Sequence, residues 1–587
     1  MAMGGNMTSA FKSVLGLLVA GTAVCNPLAA RAQVLPYGNV SDAGQPGVDA
    51  GDAGGFADGA GDGDTLGKPG RGKKVKITPY IEAQQVAFAD LAPGNEVLTY
   101  SVLSAGIDAA VSGRNNQASV SARYERRFGW GKAKSSDAIS GIARASMAVV
   151  PQALKLEVGG IAARTSAERN GSALTGSQDY GDTVTQVYSV YAGPQLATRV
   201  GDVAVTGSYR LGYTRIKSPH AVAGAPSQPA VDVLDNSITH NAAVYAGVKP
   251  GEALPIGLGV GAGYSREDVS NLDQRIEDRY VRADATVPLG QNLHSVAGIG
   301  YEKSQVSSRD AVRNPVTGVG VVGADGRFVT NSSAPRVIAY DADGLIWDAG
   351  VVWRPGRRTV LEGRVGRRYG STSYSGSFAY APSSNSSLNV SVYDSISGFG
   401  GQLTNALAAL PTEFEPVRNP FNGSLGGCVA SSGNLANGQN ACLAGALASV
   451  RSSVFRSRGV MASYAVNGSR FQTGIGAGYD RRKFIAAPGT VLAQANGVVD
   501  QNIWVAAYLN GKIDRSSGFS TTVYGNLYDS GDVALGDTTG IGATAAYYRQ
   551  LTSKFTATAA VGIDGVRRDK QADAWSGQAM VGLRYSF

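Results

Sequence analysis

The chain has 587 residues, of which 79 are Gly and only 17% are charged; ordinary soluble domains carry about 7% Gly and about 25% charge. The net charge of +8, from 53 basic and 45 acidic residues, is too mild and too scattered for a nucleic-acid partner, which calls for a clustered basic face. Small residues and sparse charge favour repeated strands over helices.

Residues 1–32 read as an export leader. Lys12 supplies the positive end, "SVLGLLVAGTAV" the apolar segment, and "ARA" the small-residue site that places cleavage between Ala32 and Gln33. Cys25 follows Thr22 and Val24, where a lipid-attachment site would carry Leu and a small residue. Beyond the leader no stretch approaches the roughly 18 apolar residues of a spanning helix. A membrane location therefore leaves only a closed β-barrel, the other structure that satisfies every backbone group in lipid.

Residues 33–74 are rich in Gly and Asp, nearly free of large apolar side chains, and end in Lys68, Arg71, Lys73 and Lys74. Such a segment cannot bury enough surface to order itself, and it reads as a disordered periplasmic tether. Its Gly-Asp spacing lacks the nine-residue period of calcium-binding repeats.

From 75 to 587 a period of two takes over. In "QASVSARYERRF" the residues Ala118, Val120, Ala122, Tyr124 and Phe128 share a face opposite Ser119, Ser121, Arg123, Glu125 and Arg127; "FTATAAVGID" and "RFQTGIGAGYD" repeat the division. About 22 such segments recur, an even number as in single-chain bacterial barrels. Every second connection is short ("GRN", "PQA", "RVGD", "PLGQN", "NG", "LTS"), and the others include 167–185, 219–236, 307–342, 397–451 and 485–501. Short periplasmic turns alternating with long extracellular loops are the pattern of a transmembrane antiparallel up-and-down β-barrel. Asn467-Gly468 is the favoured pair for a two-residue hairpin turn, which would set Tyr464 opposite Phe471 and Val460 opposite Ile475.

One row on each strand keeps its charges. Arg123, Glu125, Glu362, Arg364, Asp480, Asp564 and Arg584 are the lumen-facing candidates, suited to a hydrated channel or to ion pairs that brace the wall. Cys428 and Cys442, the two cysteines left after leader removal, share the loop 397–451. Outside the cytoplasm such a pair suggests a disulfide, stabilising by about 3 kcal/mol for a loop of this size in the chain-entropy model. "QLTNALAAL" in the same loop is a short helical stretch, and the loop is expected to fold into the barrel mouth as a constriction or lid.

Chemistry is sparse elsewhere. His220, His240 and His294 are scattered, without the clustering that a metal site or a Ser/His/Asp triad requires. "GLGVGAGY" at 257–264 lies within a strand pattern, whereas a phosphate-binding loop joins a strand to a helix. No metal, cofactor or catalytic residue is expected, and no enzyme.

The chain stops on "AWSGQAMVGLRYSF", whose apolar row runs from Trp575 through Val581, Leu583 and Tyr585 to Phe587. Leu583, Tyr585 and Phe587 resemble the C-terminal signal by which bacterial outer-membrane proteins are recognised for assembly, which implies the barrel assembly machinery and outer-membrane lipid as partners. The opening strands "ITPYIEAQQVAFADLAPGNEVLTYSVLSAGIDAAVSGRNNQASVSARYERRFGWG" and the hairpin stretch "WDAGVVWRPGRRTVLEGRVGRRYGSTSYSGSFAYAPSSNSSLNVSVYDSISG" resemble a β-barrel porin family linked to exopolysaccharide and its accompanying PEP-CTERM-type protein-sorting systems. That resemblance implies an outer-membrane pore, passive or gated, with polysaccharide or small solutes as cargo and exopolysaccharide export as the specific expectation. Between Gln33 and the first strand there is no room for the large plug domain of energised nutrient transporters. A structural or surface-binding barrel with a closed lumen is the alternative, and an enzyme barrel comes last.

Overall fold

The computed structural model describes residues 74–113, 115–167, 173–174, 184–217, 236–383, 385–423, 425–431, 443–447, 453–532, 536–569 and 571–587. Twenty-two antiparallel strands stand in a ring. Each pairs with its neighbours in sequence, and the ring closes where Lys74–Ala92 meets Ala574–Ser586, with Tyr80 opposite Ser586 and Asp90 opposite Ser576. The last residue takes part, since Phe587 N–H donates to the Pro79 carbonyl at 3.1 Å. Closure removes the sheet edge that lipid could not satisfy.

The period of two decides which residues face where. On the closing strand Ala579, Val581, Leu583 and Phe587 are exposed on the outside, while Ser576, Gln578 and Met580 are buried inside. On Asn116–Trp130 the same division sets Val120, Tyr124, Phe128 and Trp130 outward and Ser119, Ser121, Arg123, Glu125 and Arg127 inward. An exposed apolar exterior over a charged interior is a soluble protein turned inside out, and it places the ring in the outer membrane. Aromatic rings gather at the short-turn rim, where Tyr585 lies 4.9 Å from Phe555 and 5.0 Å from Phe587 between ring centroids. No described helix is long and apolar enough to cross a membrane.

The hairpin expected at Asn467-Gly468 is built differently. Asn467 pairs with Gln472, Tyr464 with Ile475 and Val460 with Tyr479, and Gly468 N–H donates to the Phe471 carbonyl at 2.8 Å. The turn therefore takes in Ser469 and Arg470 as well, and neither Asn467 nor Gly468 adopts a positive φ. Because the displacement of register is even, the apolar faces still coincide, which is why face matching alone could not reveal it. The two-residue turn with positive φ at both positions is Tyr369 (52°) and Gly370 (63°), between the paired Arg368 and Ser371. Tyr369 is held in that conformation by burial between the guanidinium groups of Arg368, 4.6 Å from its ring centroid, and Arg456 at 5.2 Å.

Among the described residues, two groups of elements lie outside the wall, one in the segment after Ser397 and one on the long-loop rim. Between Ser397 and Phe455, which pair directly with each other, the chain forms the helix Phe399–Ala408 and a small hairpin of Phe414–Arg418 with Leu425–Ser431. On the long-loop rim, residues from three connections share an apolar cluster of Leu272, Ala311, Ala486 and Leu492. Asp310 ties that roof together: it pairs with Arg313 at 2.7 Å and accepts from Val491 N–H at 2.8 Å.

Candidate functional site in the barrel lumen

The segment after Ser397 turns into the barrel. Its helix presents Phe399, Leu403 and Leu407 to the inward-facing Ile142, Ile161, Val187, Tyr191 and Ile216, so one face of the helix is buried on strands far round the ring from the point where the segment leaves. The sequence "GFGG" explains the close approach. Glu267, buried on the wall, accepts from Gly398 N–H at 2.7 Å, Gly401 N–H at 3.0 Å and the Ser237 hydroxyl at 2.8 Å. A carboxylate at a helix N-terminus satisfies orphan donors and opposes the helix dipole. A Cβ at Gly401 would come within 2.5 Å of that carboxylate, so the residue must be glycine for the contact to form. Further along the helix Asn405 Oδ1 accepts from Arg210 at 3.2 Å, and Gln402 Oε1 from Arg482 at 3.0 Å.

The hairpin continues across the lumen. Arg418 donates to Ser140 Oγ at 2.9 Å and to the Ser121 carbonyl at 3.0 Å. Val417 packs on Trp504, Ala506 and Tyr508. Phe421, fully buried, reaches the closing seam of the ring and packs on Val86, Tyr100, Val102, Ala546, Ala560 and Met580. Gly423, at φ 60°, lies against Arg123. These contacts fall on separate arcs of the wall, so the segment bridges the lumen rather than lining one side of it.

The charged residues singled out in the sequence form local pairs around this insert. Arg123 pairs with Glu82 at 2.5 Å; Glu125 pairs with Arg127 at 2.9 Å and with Arg164 at 3.0 Å. Arg364 bridges Glu362 at 2.8 Å and Asp348 at 3.2 Å, and Asp348 also meets Arg282 at 2.6 Å. Asp480 holds Arg482 at 2.6 Å, and Asp564 accepts from Tyr524 at 2.6 Å. Arg584 pairs with Asp108 at 2.8 Å and stacks on Tyr80, 3.5 Å from its centroid. From Glu82 to Arg210 the buried charges are mostly arginine, and from Glu267 to Asp564 mostly carboxylate.

Other sequence readings land as follows. His240 faces outward, its Nδ1 2.9 Å from the Tyr209 hydroxyl; His294 is on the strand Leu293–Ser308; His220 lies outside the described residues, as do Cys442 and the side chain of Cys428, on which the expected bridge depends. The leader, its cleavage site and residues 33–73 also fall outside them. Among the described residues no group of His, Cys, Asp or Glu is arranged to hold a metal. Sequence reasoning missed Glu267, Arg418 and Phe421. The run Gly398–Gly401 was the available signal for the first, since three glycines in the first turn of a helix disfavour it unless something must come close.

No family model and no curated protein matches the chain. Among solved structures, it is similar to the FrpB iron transporter from Neisseria meningitidis (F5-1 variant, apoprotein form), at 9% identity over 86% of this chain and 81% of that one, TM-score 0.42. The siderophore receptor PiuA from Acinetobacter baumannii aligns at 7% identity over 86% and 82%, TM-score 0.36. A loop L8 deletion mutant of OmpT, an outer membrane protein of Vibrio cholerae, aligns at 8% identity over 88% and 99%, TM-score 0.26.

Proposed function

We propose that the chain is a gated outer-membrane channel whose gate is the segment 397–451, with solutes diffusing through the lumen and no covalent step. The observation that carries this reading is the insert itself, which enters the lumen and holds the wall through discrete apolar and polar contacts on separate arcs. A ring of this size is wide enough to need a plug or constriction, and among the described residues it is this segment that enters the lumen. Because Ile396 and Arg456, just outside the segment, pair with each other, a short linker can replace the segment without opening the wall. Exopolysaccharide is the cargo suggested by the sequence resemblance, and small solutes are the broader class.

Planar-bilayer conductance of the purified protein, with and without 397–451, tests the proposal. A small or intermittent conductance that rises on deletion is the expected result. Absence of conductance in both forms overturns it. That outcome would favour the second reading, a closed barrel that binds partners at its surface, which draws support from the packed roof formed by Leu272, Ala311, Ala486 and Leu492.

A further inference from the structure

Up the outer face of the strands Phe455–Asn467 and Phe471–Phe484, Tyr464 stands opposite Ile475, Ala462 opposite Ala477, Val460 opposite Tyr479, Arg458 opposite Arg481, and Arg456 opposite Lys483. The first three pairs are apolar, with Tyr464 and Val460 exposed. The last two form a two-by-two block of cations. Like charges directly opposite each other on an antiparallel ladder are destabilising, so the block is kept against a penalty. One carboxylate serves it. Asp394, opposite Arg458 on the preceding strand of the ring, is buried and pairs with Arg456 at 2.7 Å and with Arg458 at 3.2 Å. Arg458 also donates to the Thr372 carbonyl at 2.7 Å, and Arg367, the partner of Thr372, adds a fifth cation on the same face.

Among the described residues no hydrogen bond or ion pair reaches Arg367, Arg481 or Lys483. On the far side the outward row runs from Arg481 through Gln501 to Asp529, which sets that carboxylate two strands, about 10 Å, away. The adjoining sequence offers no other, since no acidic residue occurs between Glu415 and Asp480 or between Asp480 and Asp500, and Asp480 itself faces inward on Arg482. Elsewhere on the long-loop side, outward cations have carboxylates beside them: Arg126 meets Asp137 at 2.5 Å, Lys303 meets Asp343 at 3.1 Å, and Asp268 meets Arg266 at 2.5 Å and Arg275 at 2.7 Å. The height of the block follows from the strand. From Phe471 at the short-turn rim to Arg481 is ten residues, about 33 Å along the chain and about 25 Å along the membrane normal at the usual tilt, which is the height of the apolar band. Tyr374, exposed and with Arg458 5.8 Å from its ring centroid, marks the same boundary.

We propose that this block binds the phosphate groups of an outer-leaflet lipid, whose acyl chains lie down the apolar column below it, over the dip that Ala462 and Ala477 make between Val390 and Val505. Guanidinium groups take phosphate through paired, charge-assisted bonds, and an anion there relieves the repulsion between Arg458 and Arg481. A lipid fits better than a free anion because the cations continue directly into a lipid-facing column. Native mass spectrometry of the full protein in detergent tests the site, with diphosphoryl lipid A, lipid A stripped of its phosphates, and inorganic phosphate as probes. Wild type should retain the diphosphoryl form and release the stripped one. Arg481→Gln with Lys483→Gln removes two cations without stranding Asp394, and retention should fall about thirty-fold, at about a factor of five for each cation beside an anionic lipid. Arg126→Gln with Asp137→Asn, elsewhere on the rim, should behave as wild type. Heat-modifiable gel migration checks that each variant keeps its barrel. Failure of wild type to hold the diphosphoryl form, or equal retention in wild type and the Arg481→Gln, Lys483→Gln protein, overturns the proposal. Equal retention of both lipid forms does so too, as does displacement of the lipid by inorganic phosphate, which would mark a site for free anions.

Discussion

Truncating Phe421 to Ala isolates the docking of the insert from the stability of the wall. The ring is fully buried on Val86, Tyr100, Val102, Ala546, Ala560 and Met580, and removing a buried Phe side chain costs about 3–5 kcal/mol. Phe421 belongs to no strand of the ring, so that cost falls on the docked state of the insert. At about 1.4 kcal/mol per factor of ten, the ratio of docked to undocked insert should drop by roughly two to three and a half orders of magnitude. Limited proteolysis from the long-loop side and single-channel recording read the change. Phe421→Ala should be cleaved faster within 397–451 and dwell longer in open states, with unchanged heat-modifiable migration. Gly562→Val approaches the same contact from the wall, since a Cβ there would lie 2.7 Å from the Phe421 ring, and it should act in the same direction. Wild-type cleavage and gating in Phe421→Ala would refute the docking argument, as would loss of the barrel itself.

Replacing Glu267 with Ala strands the N–H groups of Gly398 and Gly401, at about 1–3 kcal/mol for each buried group left unsatisfied; labelling of Leu403→Cys by an impermeant maleimide should accelerate in that background, and unchanged labelling would show that the carboxylate does not hold the helix. Deleting Phe587 removes the N–H bond to Pro79 and the ring against Tyr585; the amount of folded protein in the outer membrane should fall while the conductance of what remains is unaltered. Burial alone would raise the Asp310 carboxyl, but the bonds from Arg313, Val491 and Ala311 outweigh it and hold it below the ordinary value of 3.8. A depressed carboxylate stabilises fully above its unfolded pKa and loses that contribution as pH falls through the lowered value. Protease resistance of 309–336 should therefore be flat from neutral pH down to about 4 and decline below it, and Asp310→Asn should abolish the dependence.

Much of the wall was legible because its code is local. Lipid outside and charge inside impose alternation on each strand separately, so Val120 and Arg123, or Val581 and Arg584, could be assigned to faces without knowing any partner. Alternating loop lengths then supplied topology and strand number. Register was less accessible: at Asn467-Gly468 both the expected and the observed pairings match apolar faces, and the difference lies in a Gly468–Phe471 backbone bond that composition does not encode. The insert was harder still. "QLTNALAAL" announced a helix and the length of 397–451 announced a role, but the partners that decide its position are distant in sequence. Glu267 reads on its own strand as one more lumen carboxylate, and Phe421 as a loop aromatic.

A reversible tether examines the gate most directly. Phe421→Cys with Met580→Cys places two thiols within one packed cluster, and conductance can be followed in a planar bilayer while the bridge is made and broken. Docking of the insert as a gate predicts minimal conductance under oxidising conditions and a rise on adding reductant toward the level of the protein lacking 397–451. Conductance that is the same in both states, and the same again without the segment, would contradict it.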